Sequence, residues 1–139
     1  WKSHHLKDLS DECIDIFQSY ALSMPTEECE IFIPHMEGAP SRIAPNATAF
    51  PHRNTPFVLN IHTRWQKVED DAKAKQWAGD FHKATEPFSQ GVYVNFLSDE
   101  GADRVKQAYT GEVWEKLVRC KRKWDPKNLF KMNQNINPG

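Results

Sequence analysis

Residues 91–99, GVYVNFLSD, combine a strand-like pattern with side chains that could bind a small molecule. The alternation of a β-strand would place Tyr93 and Asn95 on one face and the two valines and Phe96 on the other. A hydroxyl, a carboxamide and an aromatic ring on one face can hydrogen-bond to a ligand and stack on it. The alternative is structural, with Tyr93 packed in a core and Asn95 bonded to neighbouring backbone.

A second set of polar side chains lies on the longest predicted strand, in PFVLNIHTRW at residues 56–65. Alternation places Phe57, Leu59 and Ile61 on an apolar face. Asn60 and His62 lie on the opposite face, so this face offers an amide and an imidazole.

Metal chemistry is not expected. His35, His52, His62 and His82 lack HxxxH or HxH spacing, and His4 and His5 are terminal. Three widely spaced cysteines match neither a disulfide framework nor a zinc site.

The length and net charge of the chain limit the number of domains and the kinds of partner that can be expected. The chain has 139 residues, enough for one α+β domain over residues 1–139, and a formal net charge of -1. This charge gives no reason to expect nucleic acid or an anionic membrane as a partner. The apolar runs are far shorter than the ~20 residues of a membrane span. We expect a soluble protein whose compartment is open, with the cytoplasm favoured.

The elements that would position the polar residues alternate between helix and strand. Helical spacing covers residues 10–24, with Ser10 as N-cap, and residues 68–84, with Val68, Ala72 and Trp77 on the apolar side. A half-buried strand is predicted at residues 29–33, and a loop with a short helix at residues 99–109.

The C-terminal part predicts further helices. A helix at residues 111–124 ends in basic residues, where the helix dipole favours them. Asp125 and Pro126 predict the start of a short helix that ends near Phe130. Together the elements predict an α+β fold, with a small, mainly antiparallel sheet covered by helices.

Beyond these patterns, the sequence resembles the C-terminal segment of the berberine bridge enzyme-like family of FAD-linked oxidases. The resemblance rests on an ordered set of motifs: Tyr93-x-Asn95, Leu117-x-x-x-Lys121, Trp124-Asp125-Pro126, Asn128-Leu129-Phe130 and Gln134-x-Ile136-x-Pro138. Upstream, Pro51-His52-Arg53, Trp65 and Trp77 also fit the spacing of the family. Residues 109–139 would be the berberine-like C-terminal segment.

The resemblance implies that two domains of the complete protein have different roles in binding. Family members hold FAD in a larger N-terminal domain, and the antiparallel sheet of a substrate domain covers the isoalloxazine ring. This chain has no GxGxxG-like loop. We therefore expect FAD only together with an FAD-binding domain that this sequence lacks, and an isolated chain that is inactive.

The resemblance also assigns cofactor contacts. Tyr93 and Asn95 correspond to residues that lie against the flavin. The tail residues Asn133, Gln134 and Asn135 would lie near the cofactor or the seam between domains. Their alternative is a hydrated C-terminal tail.

The sequence departs from the family at the positions of both usual proton acceptors, which are Phe96 and Val58 here. Oxidation of an alcohol or amine by hydride transfer needs a group that accepts the substrate proton. His62 is the candidate, because histidine is well matched to proton transfer near neutral pH, with Asn60 on the same face. The alternative is a strand histidine bonded to its neighbours.

We therefore expect the substrate-side portion of an FAD-dependent oxidoreductase. Its partners would be the FAD-binding domain and a small-molecule substrate, and an uncovered interface could lead to self-association. The alternative is a non-catalytic module, from a truncated or split gene, that keeps the fold for interaction or structure.

Overall fold

In the computed structural model, which describes residues 1–97, 101–109 and 111–139, a three-stranded antiparallel sheet is combined with helices. The strands are β1 (Lys2–Leu6), β2 (Glu30–Phe32) and β3 (Phe57–His62), in the spatial order β1-β3-β2. The helices are α1 (Asp11–Leu22), α2 (Asp71–Thr85), α3 (Ala102–Gln107) and α4 (Gly111–Trp124). The predicted α+β class is confirmed.

Helix α1 follows the sequence prediction closely. The side chain of Ser10 accepts a hydrogen bond from the Cys13 amide at 3.3 Å, and Asp11 and Glu12 occupy the first turn. The helix buries Cys13 and Phe17 and ends at Leu22, before Pro25.

Helices α1 and α2 cover one face of the sheet and form the hydrophobic core. The core residues are Leu6, Cys13, Phe17, Leu59, Ile61, Trp77, Ala78 and Phe81. Phe57, Leu59 and Ile61 all pack in or against this core, as the alternation predicted. Neither α1 nor α2 covers the opposite sheet face, which carries Val58 and Asn60, so this face could bind a ligand.

The prediction that Val68 and Ala72 lie on the apolar side of α2 was wrong. Val68 is 84 % exposed and Ala72 is also exposed, whereas Ala74 is fully buried. Val68 lies in a 3₁₀ turn, Val68–Asp70, that precedes the α-helix. The helical register therefore starts three residues later than the apolar pattern suggested.

Strand β1 was not predicted, because KSHHL has no apolar run. His5 pairs with Val58 and Ser3 with Asn60, so β1 forms one edge of the sheet. His4 and His5 are each only 1 % exposed, although they lie next to the start of the chain. His4 Nε2 is 2.9 Å from the carbonyl oxygen of His82 on α2, which ties the strand to the helix.

The strand predicted at residues 91–96 was also wrong, although the segment lies along β1. The amide of His5 donates to the carbonyl of Gly91 at 2.8 Å, and the Gln90 amide donates to the His5 carbonyl at 2.7 Å. The Tyr93 amide then donates to the Ser3 hydroxyl instead of to backbone. Residues Val94–Phe96 form a 3₁₀ turn. Backbone pairing with β1 therefore stops at Tyr93, because the Ser3 side chain, and not a backbone carbonyl, accepts the hydrogen bond from the Tyr93 amide.

The predicted short helix after Asp125 does not form, because Asp125 binds amides beyond the first turn. Its carboxylate accepts hydrogen bonds from the Leu129 amide at 2.7 Å and the Phe130 amide at 3.0 Å, and from Lys121 Nζ at 2.6 Å. These bonds hold the pKa of Asp125 below its ordinary value, with the Lys121 bond as the largest cause. Asn128 adopts a left-handed φ of 51°, which closes a turn.

The loop and short helix expected at residues 99–109 contain α3, whereas residues 98–100 lie outside the described part of the chain. Cys13 and Cys29 are buried and Cys120 is exposed, all as free thiols. Within the described ranges, no helix has the length and apolar character that a bilayer crossing requires. Nor do the described side chains bring together three or more groups that could hold a metal.

Candidate ligand-binding cavity

A cavity of about 580 Å³ lies on the sheet face opposite α1 and α2. Three residues of β1 and β3 line it from the sheet: His5, Val58 and Asn60. Aromatic residues from other segments also line it: Phe32, Phe50, Tyr93, Phe96 and Tyr109. The cavity therefore combines apolar rings with a few polar groups, as small-molecule sites do.

Tyr93 and Asn95 both line this cavity, although the strand expected to bring them together is absent. Asn95 Nδ2 donates a hydrogen bond to the Tyr93 hydroxyl at 2.8 Å. The Tyr93 ring packs edge-on against Phe96 and Phe50, with centroids 5.0 and 6.2 Å apart. Asn95 is exposed and lines the cavity.

Asn60 is 1 % exposed and is held rigidly at the sheet surface. Its Nδ2 group donates to the carbonyl oxygens of Phe32 at 3.3 Å and Val58 at 3.2 Å. Both amide hydrogens are used, which fixes the orientation of the carboxamide. Its Oδ1 atom is buried and has no hydrogen-bond partner among the described residues.

His62 lies beside the cavity, outside the residues that line it. Its Nδ1 atom is 2.7 Å from Glu30 Oε1, which also accepts a hydrogen bond from Arg64 at 3.0 Å. The bond to His62 is the main reason why the pKa of Glu30 is lowered. An ionised Glu30 accepts the proton on Nδ1, which leaves Nε2 as the basic nitrogen.

Aromatic residues enclose the His62 ring. Trp1 stacks on it with ring centroids 4.7 Å apart, and Phe96 packs edge-on at 5.7 Å. Nε2 of His62 is buried and makes no hydrogen bond within the described part of the chain. His62 therefore sits behind Phe96, which itself lines the cavity.

Two of the cavity walls are apolar side chains at positions where the sequence resemblance led us to expect a proton acceptor. Val58 and Phe96 both line the cavity, and neither side chain can accept a proton. Any proton transfer by this chain must use another group.

The tail amides do not line the cavity, but Gln134 contacts the segment that follows the cavity-lining turn. Gln134 Nε2 donates to the carbonyl oxygen of Leu97 at 2.8 Å, next to the Val94–Phe96 turn. Asn133 has a left-handed φ of 56°, and its carbonyl accepts from the Asn135 amide at 3.0 Å.

Sequence reasoning missed a pair of stacked imidazoles at the cavity. The rings of His5 and His52 lie 4.2 Å apart, and both residues line the cavity. Burial, with smaller contributions from His52 and His4, lowers the pKa of His5 to about 3. Burial also lowers the pKa of His52. No local signal could have paired them, because only the β1–β3 pairing and the 49–53 segment bring them together.

Gly91 is required where the chain passes the His52 ring. It has a φ of 147°, and a Cβ atom would lie 2.2 Å from Cε1 of His52. We expect Gly91→Ala to destabilise the protein by roughly 2 to 4 kcal/mol, because it combines overpacking with backbone strain. Thermal or urea unfolding measures the loss.

Gly79→Ala is the matched control for this prediction. Gly79 lies in α2, and a Cβ atom there would meet nothing within 4 Å. Alanine should be neutral or stabilise by up to about 1 kcal/mol. Equal stability of the two variants would show that Gly91 is not confined by His52.

Comparison with known proteins confirms the resemblance inferred from the sequence. The family described as berberine and berberine-like matches residues 92–137. An FAD-linked oxidoreductase of Dictyostelium discoideum is 30 % identical over 131 residues, which is 94 % of this chain and 28 % of that protein. The berberine bridge enzyme-like C-1 protein of Nicotiana tabacum is 30 % identical over 135 residues, covering 73 % of this chain and 24 % of that protein.

Solved structures share the fold across nearly the whole chain. A glycopeptide hexose oxidase, solved in complex with teicoplanin, superposes with a TM-score of 0.85 at 22 % identity and covers 99 % of this chain and 32 % of that one. The berberine bridge enzyme-like protein 1 of Physcomitrella patens gives a TM-score of 0.81 at 21 % identity, covering 98 % and 30 %. The chain thus spans less than a third of each of these proteins.

Proposed function

We propose that this chain, whose residues 92–137 match the berberine and berberine-like family, is the substrate-side part of an FAD-dependent oxidoreductase. In the complete protein it would help to oxidise an alcohol or amine. The observation that carries the proposal is the aromatic-lined cavity on the sheet face opposite α1 and α2. Within residues 1–139 as one domain, residues 109–139 would form the C-terminal segment that contacts the FAD-binding domain.

The residues around the cavity fit one side of a flat, polar-edged ring system. Tyr93 and Phe96 supply aromatic surface, and the exposed Asn95 supplies a carboxamide. Gln134 hydrogen-bonds to Leu97 beside this turn, and Asn133, Gln134 and Asn135 would contact the cofactor or the domain seam. Tyr93 and Asn95 would hold the flavin, which when bound accepts a hydride from the substrate carbon.

His62 would take the proton that the substrate loses. Glu30 holds Nδ1 at 2.7 Å, so the basic lone pair is on the buried Nε2. Because Phe96 packs edge-on against this ring, a small displacement of Phe96 or Trp1 would open His62 to the cavity. Asn60 would position the substrate from the adjacent sheet position.

The FAD-binding domain would cover the open side of the cavity. The chain corresponds to 28 % of the Dictyostelium relative, which leaves ample length for such a domain in a complete protein. Only one side of the ligand site comes from the residues described here. We therefore propose that the isolated chain is inactive and holds no FAD.

An exposed apolar patch near the C-terminus should cause the isolated chain to self-associate. Four apolar side chains close together in the sequence, Trp124, Leu129, Phe130 and Met132, are 73 %, 72 %, 81 % and 82 % exposed, and we propose that they form this patch. Such a patch is characteristic of a surface that another protein segment covers. Light scattering of the chain should give a mass that rises with concentration, and Phe130→Ser should reduce the rise. A constant monomer mass up to high concentration would contradict this expectation.

A second candidate is the non-catalytic module. The specific observation in its favour is that Val58 and Phe96, which the resemblance equates with the usual base positions, are apolar cavity walls. This candidate predicts a complete protein whose flavin, if any, is never reduced by substrate.

A substrate screen without oxygen tests the proposed function. The complete protein would be mixed with alcohols and amines while the visible flavin absorbance is followed. Bleaching by at least one compound class supports the oxidoreductase. A flavin that is bleached by dithionite but by none of the substrates would favour the non-catalytic module.

A further inference from the structure

The protonation pattern of His5 follows from its hydrogen bonds. The Thr55 hydroxyl donates its single proton to the carbonyl oxygen of His52 at 3.0 Å. The same hydroxyl lies 3.2 Å from His5 Nδ1, so it must accept there and Nδ1 must carry the proton. Nε2 of a neutral His5 is then unprotonated, and only a donor can satisfy it.

Three polar atoms of cavity-lining residues are buried and have no hydrogen-bond partner among the described residues: His5 Nε2, His52 Nε2 and Asn60 Oδ1. The hydrogen bonds made by the same side chain identify two of these atoms as acceptors, and His5 Nε2 is one of them. Asn60 Oδ1 is the other, since both hydrogens of its amide group are already donated to backbone carbonyls. His5 and Asn60 lie diagonally across the β1–β3 pair on the same sheet face, because His5 pairs with Val58 and Ser3 pairs with Asn60.

We propose that His5 Nε2 and Asn60 Oδ1 form a paired acceptor site that selects ligands with two hydroxyl or amino donors, and that Thr55 positions His5 by fixing its tautomer. The proposal deepens the proposed function, on which it rests, by naming a specificity device for the substrate. Both side chains are 1 % exposed and both acceptors lack a partner in the free chain, so a ligand that donates to them adds hydrogen bonds that a ligand without donors cannot add.

The two acceptors disfavour an anionic group directly beside them, although Arg53 lines the same cavity. Two acceptors repel a carboxylate, and the His5 ring stays neutral because its pKa lies near 3. The oxidised isoalloxazine ring has a single N–H donor, so in this state it cannot satisfy both acceptors. A diol or amino alcohol with an apolar ring face matches both the acceptors and the aromatic walls.

Nitrogen-15 NMR of the histidine-labelled chain tests the tautomer without any ligand or flavin. We expect His5 to have a protonated Nδ1 and an unprotonated Nε2 from pH 5 to pH 8. Thr55→Val should convert His5 at least partly to the form with the proton on Nε2. A wild-type spectrum with the proton on Nε2 would overturn the proposal, and an unchanged tautomer in Thr55→Val would remove the role of Thr55.

A ligand series tests the pairing. The probes are trans-1,2-cyclohexanediol, 2-methoxycyclohexanol and 1,2-dimethoxycyclohexane, which keep one ring while offering two, one and no donors. Binding to the wild type should weaken roughly threefold to tenfold for each donor lost. Cyclohexanecarboxylate should bind more weakly than the diol. Equal binding of the diol and the dimethoxy compound would overturn the proposal.

Variants assign the acceptors separately. His5→Phe and Asn60→Leu should each remove the preference for one donor, whereas His35→Phe, on a residue outside the cavity, should leave the series unchanged. If either variant fails to fold, the wild-type series and the NMR result still decide the question. Absence of flavin from the complete protein would refute the proposed function but leave these readouts intact.

Discussion

Replacing His62 by glutamine is expected to slow flavin reduction by substrate in the complete protein by 10² to 10⁴, the usual effect of losing a general base. Glutamine can still hydrogen-bond to Glu30, which lies 2.7 Å from the histidine, so the local structure should persist. Glutamine has no basic nitrogen, so it cannot accept the substrate proton as Nε2 of His62 would. Flavin content should be unchanged, and stopped-flow mixing without oxygen measures the reduction step alone.

His35→Gln is the matched control for the His62 variant. His35 also pairs with a glutamate, Glu37, at 3.5 Å, but it is largely exposed and lies outside the cavity lining. It should reduce flavin at the parental rate. If His62→Gln also reduces at the parental rate from pH 5 to pH 9, the base lies elsewhere and His62 is a strand residue without a catalytic role.

Asn95→Ala should weaken flavin retention rather than proton transfer. The substitution removes a carboxamide at the cavity mouth and frees the Tyr93 hydroxyl, which Asn95 holds at 2.8 Å. We expect a loss of about 1 to 3 kcal/mol in FAD binding by the complete protein, as for a polar group left unmatched. Equilibrium dialysis measures it.

Asn54→Ala provides the comparison for Asn95→Ala, because Asn54 is exposed and does not line the cavity. Its FAD affinity should equal that of the parent. Equal affinity for Asn95→Ala as well would remove Asn95 from the cofactor contacts.

The parts of the fold that were predicted are those with local signals. The Ser10 cap and the spacing of Cys13 and Phe17 define α1 without reference to the rest of the chain. Strand β3 has an alternation strong enough to assign both of its faces, and the structure places Leu59 in the core and Asn60 at the cavity.

The errors occur where a distant segment decides the local structure. The GVYVNF segment has strand-forming residues, but the Ser3 hydroxyl takes the Tyr93 amide and the chain turns. The polar β1 is a strand because β3 offers it a partner and α2 offers His4 a carbonyl.

The candidate site shows the same limit. Tyr93 and Asn95 both line the cavity, but they do not lie on the strand that the sequence predicted. The acceptor role of His5 depends on Thr55, which is 50 residues away in the chain. No spacing rule reveals such a tautomer, since it arises from the direction of one hydroxyl bond.

The visible absorption spectrum of the complete protein, before and after FAD is added, tests the central claim most directly. The account predicts about one flavin per complete protein and no tight complex between FAD and the isolated 139-residue chain. A complete protein that stays colourless and does not bind added FAD would contradict it.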